Sequence, residues 1–268
     1  MDNRETFYLS VISELIVGKD ATILVCCGGS VDKKILELAG FNNVIISNLD
    51  DRMEGNEFLP YKYKHEDITS LSFDDDSFDY VIARDSIHHT REPHKSIIEM
   101  YRVAKKGILC IESRDSFIMQ IIVRLRLSQD YEHAAVYYND CKYGGVNNTE
   151  IPNYVYRWTE REVEKTIQSY APSAKHNFIY KYGTSYPSIP KEEKNNKFKL
   201  LFLNVMQPLY WVFTKIFSKQ QNLFAFYVEV PNISNMLFPW LKVDENQNIV
   251  FNRSWGDQNY KEEENSLF

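Results

Sequence analysis

The sequence predicts an α/β protein whose strands pair largely in parallel, and three observations carry that expectation. The run "ILVCCGGS", Ile23 to Ser30, passes from an apolar strand into two glycines and then into an amphipathic helix, the order that opens a ligand pocket at the carboxyl end of a strand. Further on, short β-type runs alternate with helical segments, which calls for parallel pairing through right-handed crossovers. The length of 268 residues, 44% of them hydrophobic, suffices to bury a full core, as one enlarged domain or a domain plus a lobe.

Taken in order, Glu5 to Val17 has apolar residues at helical spacing. Ala21 to Cys27 is the first strand, and a helix over Asp32 to Ala39 ends at Gly40. Asn43 to Ser47, Tyr61 to His65, Phe78 to Ala83 and Gly107 to Glu112 read as strands two to five, with a helix over Pro93 to Ala104. Tyr131 to Trp158 is an aromatic, glycine-containing stretch, long enough for a lid or a binding segment. Thr159 with Glu162 makes a capping-box pattern for a helix that ends near Tyr170, ahead of Pro172. His176 to Tyr182 and Leu223 to Val230 bring the total to about seven strands.

Between those last two lies the apolar run Phe198 to Phe217, interrupted by Lys199, Asn204, Gln207, Pro208 and Lys215. The interruptions argue against a transmembrane span. A lid or homodimer-forming helix, a core helix, and a helix in contact with a membrane surface are the readings it allows. The expected organisation is an N-terminal helix (1–20), a core (21–115), an acceptor loop, helix and sixth strand (116–182), a linker with the apolar helix (183–222), the last strand with an extension (223–256) and a polar tail (257–268).

A net charge of −6 with scattered Lys and Arg excludes a dedicated nucleic-acid binder, which needs clustered positive charge. The start, with Asp2, Arg4 and Glu5, does not read as a signal peptide, so the expected location is cytoplasmic, where the sequons at Asn147, Asn232 and Asn252 carry no weight. Cys26, Cys27, Cys110 and Cys141 have no CxxC spacing and read as apolar fillers, with no metal expected. A phosphate-bearing ligand is disfavoured: G-x-G-x-x-G and G-x-x-x-x-G-K-[ST] are both missing, and Asp32 at the helix start repels phosphate.

From His65 to Asp115 the chain carries, in order, an aspartate just past the third strand (Asp67), a turn through Leu71 and Phe73, the strand "FDYVIA" and the pair His88-His89. This stretch resembles the class I S-adenosylmethionine-dependent methyltransferases, in particular their small-molecule, methyltransferase type 11-like branch with its "D…LPF…FDxVxxxxxLHH" pattern. The resemblance covers residues 20 to 115 closely. It implies a Rossmann-like, seven-stranded, mostly parallel sheet with a reversed final hairpin, helices on both faces and inserted lid segments. It also implies S-adenosyl-L-methionine as donor, S-adenosyl-L-homocysteine as product, and a small-molecule acceptor.

Carried over by position, Cys27, Gly28, Gly29 and Ser30 would line the donor's amino-acid part. Asp67 would bond the adenine amino group with Ile68 beside the ring, and Arg84 and Asp85 would flank the methionine end. The ribose falls to Asn48 without a gap in the alignment, or to Asp50 with a shift of two. Asp50 is preferred because a carboxylate accepts from two hydroxyls at once. Val25 stands where the family has an acid, Cys27 for the first glycine of its turn and Val31 for the last.

Methyl transfer needs in-line alignment in a site closed to water, and a hydroxyl acceptor also needs a base, for which His88 and His89 are the candidates. Glu112 and Asp115 are candidate acceptor contacts. Tyr137, Tyr138, Tyr143, Tyr154, Tyr156 and Trp158 suit stacking on a sugar or planar ring, or ordinary packing. O-methylation of a sugar or glycan precursor is the expected reaction. The alternatives are a degenerate methyltransferase-fold partner subunit and a nicotinamide-dependent reductase.

Overall fold

A computed structural model of the chain describes residues 1–185, 197–231 and 236–260. Its central sheet contains β1 (Ile23–Cys26), β2 (Val44–Asn48), β3 (Lys62–His65), β4 (Phe78–Arg84), β5 (Ala104–Ser113), β6 (Phe178–Gly183) and β7 (Leu223–Glu229). The spatial order is β3-β2-β1-β4-β5-β7-β6. The first five strands pair in parallel, while β7 runs antiparallel to both β5 and β6. Strand order reverses between β1 and β4, and ligands bind open α/β sheets in the crevice at such a point.

Two apolar layers hold the sheet. Ile23 and Val25 of β1 face helices α1 (Asn3–Leu15) and α2 (Ser30–Ala39), with Tyr8, Ile12, Ile35 and Leu36. Leu24 and Cys26, one residue out of phase, face α3 (Pro93–Val103) and α6 (Glu160–Tyr170), with Ile97, Met100, Val163 and Ile167. A strand buried on both faces reads as an unbroken apolar run, which is why "ILVC" shows no alternation.

The helix ends follow local capping. α1 starts at Asn3, two residues before the sequence expectation, because the Asp2 carboxylate accepts from Glu5 N at 2.8 Å. α6 has the expected capping box, with Thr159 N donating to Glu162 Oε2 at 2.8 Å. Between β5 and α6 stand α4 (Phe117–Arg124) and the short α5 (His133–Tyr137), so the expected loop is a folded segment, pinned by a bridge between Tyr131 and Tyr154.

Helix α7 (Lys197–Ile216) occupies the apolar run. Leu201, Val205, Leu209, Val212 and Ile216 are 49 to 70% exposed, which overturns the core-helix reading. Among the described residues no helix is long and apolar enough to cross a membrane. Beyond β7 the chain forms a hairpin of β8 (Leu241–Val243) and β9 (Ile249–Phe251), then α8 (Arg253–Asn259), elements too short to leave a periodic signal. α8 continues past the expected start of the polar tail at 257, and residues 261–268 lie outside the described residues.

Candidate functional site

The bend after β1 divides its two glycines into different roles. A Cβ on Gly28 would lie 2.7 Å from Ile46 Cγ2 and 2.9 Å from Val25 Cγ1, whereas one on Gly29 would meet nothing within 4 Å. Gly28 therefore serves the packing of β1 against β2, and Gly29 alone leaves the open approach expected of both. Cys27, in the place of the family's first glycine, is held at φ +53°, in the left-handed region that disfavours a side chain. Burial drives its thiol pKa up to about 12, so it is no nucleophile at neutral pH. Ser30 opens α2.

Asp32 closes the bend, accepting from Gly29 N at 2.9 Å. Burial raises its pKa, and the Arg84 guanidinium 3.4 Å away opposes that. Arg84 also pairs with Asp85 at 2.9 Å, and Asp85 with Arg4 of α1 at 3.2 Å. The two residues assigned to the methionine end thus stand together, linked through Asp32 to Gly29.

Asp67 is half-buried, and its Oδ1 accepts from Thr69 N and Thr69 Oγ1 at 2.8 Å each, while among the described residues none donates to Oδ2. Ile68 is buried in the core layer with Leu71 and Ile97, so it offers a ring little surface.

Neither ribose candidate stands free. Asn48 donates to Gly28 O at 2.9 Å and accepts from Asp50 N at 3.0 Å, tying the end of β2 to the glycine bend. Asp50 is held by Arg52 at 2.6 Å, and that guanidinium keeps its carboxyl below the usual range. Arg52 also lies 4.0 Å above the Tyr143 ring, so the 131–158 segment reaches the end of β2.

The histidine pair lies just past β4, and its two members differ. His88 is buried: its Nδ1 bonds Glu112 Oε2 at 2.5 Å and its Nε2 lies 3.4 Å from Glu132 Oε2. Burial alone would lower its pKa, but Glu112 and Glu132 outweigh it and hold the ring at about 10. An imidazolium at neutral pH cannot take a proton, which removes His88 as the free base. His89 is part-exposed, with Nε2 3.0 Å from the same Glu132 oxygen. Burial would raise the Glu132 pKa, but the two histidines hold it well below the usual range.

Glu112 is no acceptor contact: it is fully buried and also accepts from Ser86 N and Ile87 N at 2.8 and 2.9 Å. Nothing in the sequence singled out Glu132 or Asn153. Asn153 donates to His88 O at 3.4 Å and to Glu132 Oε2 at 3.2 Å, locking the lid segment onto the pair. A cavity of about 290 Å³ opens here, its wall including His88, Arg91, Asn153, Tyr154 and Tyr156. Tyr137 and Tyr138 are exposed, and Trp158 is core.

The remaining histidines have partners. His94 is exposed and joins α3 to α6, with Thr166 Oγ1 at 2.8 Å and Tyr156 OH at 3.1 Å. His176 meets Tyr101 OH at 2.8 Å, His65 pairs with Asp51 at 2.9 Å, and His133 lies beside the Tyr131 ring.

The family model for a methyltransferase domain matches residues 24–111, the span from β1 through β5 that carries the glycine bend, Asp67 and the histidine pair. Among curated proteins none matches. Solved structures match over most of their length at low identity. A complex of the Haloferax volcanii Trm112 methyltransferase activator and a putative methyltransferase aligns at TM-score 0.53 and 12% identity, over 86% of this chain and 90% of that one. Magnesium protoporphyrin IX methyltransferase from Synechocystis with bound S-adenosylhomocysteine aligns at 0.51 and 12%, over 85% and 84%. A Pyrococcus horikoshii protein aligns at 0.51 and 14%, over 85% and 90%. These likenesses speak for the fold, and the matched domain for the activity. Residues 24–111 thus match a methyltransferase domain, set in a chain whose fold is that of S-adenosylmethionine-dependent methyltransferases of known structure.

Proposed function

We propose that this methyltransferase acts on a hydroxyl of a sugar-bearing small molecule, bound in the cavity beside His88 and His89. The observation that carries this reading is that His88 belongs both to the cavity wall, with Tyr154, Tyr156 and the polar Arg91 and Asn153, and to the cluster with His89 and Glu132. Aromatic faces with polar edges suit a sugar ring.

S-adenosylmethionine supplies an activated methyl group when bound. Gly29 leaves room for its amino-acid part, Arg84 and Asp85 flank that end, and Asp67 Oδ2 receives the adenine amino group. The ribose falls to Asp50, which must exchange its bond to Arg52 for the two hydroxyls. Because Arg52 touches Tyr143, donor entry and the position of the lid segment are coupled. His88, charged and clamped between two carboxylates, positions the lid through Glu132. The hydroxyl lies against His89 and Glu132, the part-exposed members of the cluster, where its proton has a way out to solvent.

Calorimetry with S-adenosylhomocysteine, followed by methyl transfer to a panel of sugars and nucleotide sugars, tests this reading. His89→Ala should lower turnover about 10²- to 10⁴-fold with donor affinity kept. Equal turnover in the variant would overturn the assignment.

Helix α7 docks on an anionic bilayer surface. Over 197–228 the sequence has no acidic residue but has Lys197, Lys199, Lys215 and Lys219, beside exposed Leu201, Leu209, Trp211 and Ile216. Cationic ends with apolar and indole side chains are the composition of an interfacial helix. Sedimentation with phosphatidylglycerol vesicles, weakened by salt and absent with phosphatidylcholine, is expected. A homodimer with no affinity for vesicles would overturn it. The free thiols, Cys141 exposed among them, suit a reducing, cytoplasmic setting.

A further inference from the structure

We propose that His88, His89 and Glu132 bind one divalent transition-metal ion, of the zinc or manganese kind, which holds the acceptor's hydroxyl. The sequence offered no metal motif, because the third ligand arrives from the lid segment. The inference rests on the acceptor reading above for where the hydroxyl lies.

Glu132 Oε2 is 3.0 Å from His89 Nε2 and 3.4 Å from His88 Nε2, and one ligand atom from each of the three residues falls within 4.8 Å of the others. An ion bound at about 2.0–2.2 Å by imidazole and carboxylate holds neighbouring donor atoms about 3.0–3.5 Å apart. The ion displaces the proton that His88 Nε2 holds toward Glu132, and the side chains need to open little to admit it. Two histidines and a glutamate are also the donor set of catalytic zinc sites that keep a position for water or substrate.

Two further features point to a ligand. The bond from His88 Nδ1 to Glu112 fixes that ring and turns Nε2 toward Glu132, as carboxylates do behind metal-bound histidines. Asn153, 2% exposed, donates to Glu132 while its Oδ1 has no hydrogen-bond partner. A buried acceptor left unmet calls for an occupant, which water on the ion would be. The site is open on one side, since the His89 and Glu132 side chains are 30% and 31% exposed.

The ion lowers the pKa of the acceptor's hydroxyl, as it does that of bound water. The O–H proton passes to solvent and the oxygen pair forms the new O–CH3 bond. The S–CH3 bond of the donor breaks with its pair kept by sulfur, so S-adenosylhomocysteine leaves uncharged.

The test uses the whole chain, stripped with EDTA and titrated with Zn²⁺ and Co²⁺ by calorimetry and visible absorption. One ion per chain is expected. Glu112→Gln should weaken binding about 10- to 100-fold, and His89→Ala and Glu132→Gln by more. Pulsed EPR of the Mn²⁺-loaded unaltered protein, expected to show coupling to histidine nitrogen, supports the site without any variant. No binding, no nitrogen coupling, or unchanged affinity in both His89→Ala and Glu132→Gln would overturn it. Undiminished methyl transfer by the stripped protein would remove the ion's role and leave the acceptor reading standing. Metal held by these residues with no hydroxyl acceptor methylated would do the reverse.

Discussion

Two single-methyl additions, Gly28→Ala and Gly29→Ala, should separate packing from ligand approach at adjacent positions. The Cβ at position 28 would lie 2.7 Å from Ile46 Cγ2 and 2.9 Å from Val25 Cγ1. Both neighbours are fully buried and β-branched, so their rotamers give little. Overpacking of this kind costs about 1–3 kcal/mol, offset by about 0.4–1 kcal/mol from the stiffer unfolded chain. A net loss of about 1–2 kcal/mol remains, or roughly 2–8 °C in Tm at about 2–4 °C per kcal/mol.

Position 29 has φ −139° and ψ −166°, extended backbone that any residue adopts, with open space beyond. Gly29→Ala should melt within about 0.5 kcal/mol of the unaltered chain. Its methyl stands where the donor's amino-acid part must approach, so S-adenosylhomocysteine affinity should fall about tenfold or more, about 1.4 kcal/mol. Thermal melts and calorimetry on both variants decide the matter. Unaltered stability in Gly28→Ala would refute the packing argument, and unaltered affinity in Gly29→Ala would refute the approach argument.

Asp67→Ala should cost about 1–3 kcal/mol of S-adenosylhomocysteine affinity, since it leaves the adenine amino group without an acceptor; calorimetry showing no change would sink the adenine assignment. Glu112→Gln should lower stability in urea by about 3–5 kcal/mol, because it strips the charge from a buried partner of His88. The amide can still accept from Ser86 N and Ile87 N, so a loss under about 1 kcal/mol would mean that the His88 pair contributes nothing.

The seven strands and the helices flanking them were legible in the sequence because each is a local pattern. Apolar runs mark buried strands, periodicity marks α2 and α3, and Thr159 with Glu162 marks the start of α6. Asp67 was legible too, since its place depends on a short turn after β3. Asn48 and Asp50 show where this ends: one closes β2 and the other follows it by two residues, yet each is already bonded, to Gly28 and to Arg52.

What sequence alone determined is therefore the layer architecture and the edge of the sheet that receives a ligand, because burial and chain reversal are set by neighbours along the chain. Tertiary structure decided which of two adjacent glycines is open and which of two adjacent histidines is buried between two carboxylates. It also brought Glu132 and Asn153 to that pair. Those outcomes depend on β2 packing against the bend, on β5 delivering Glu112 to His88, and on the 131–158 segment folding back onto the histidine pair. All are contacts between residues distant in sequence, whose distances and charges exist only once the sheet has closed.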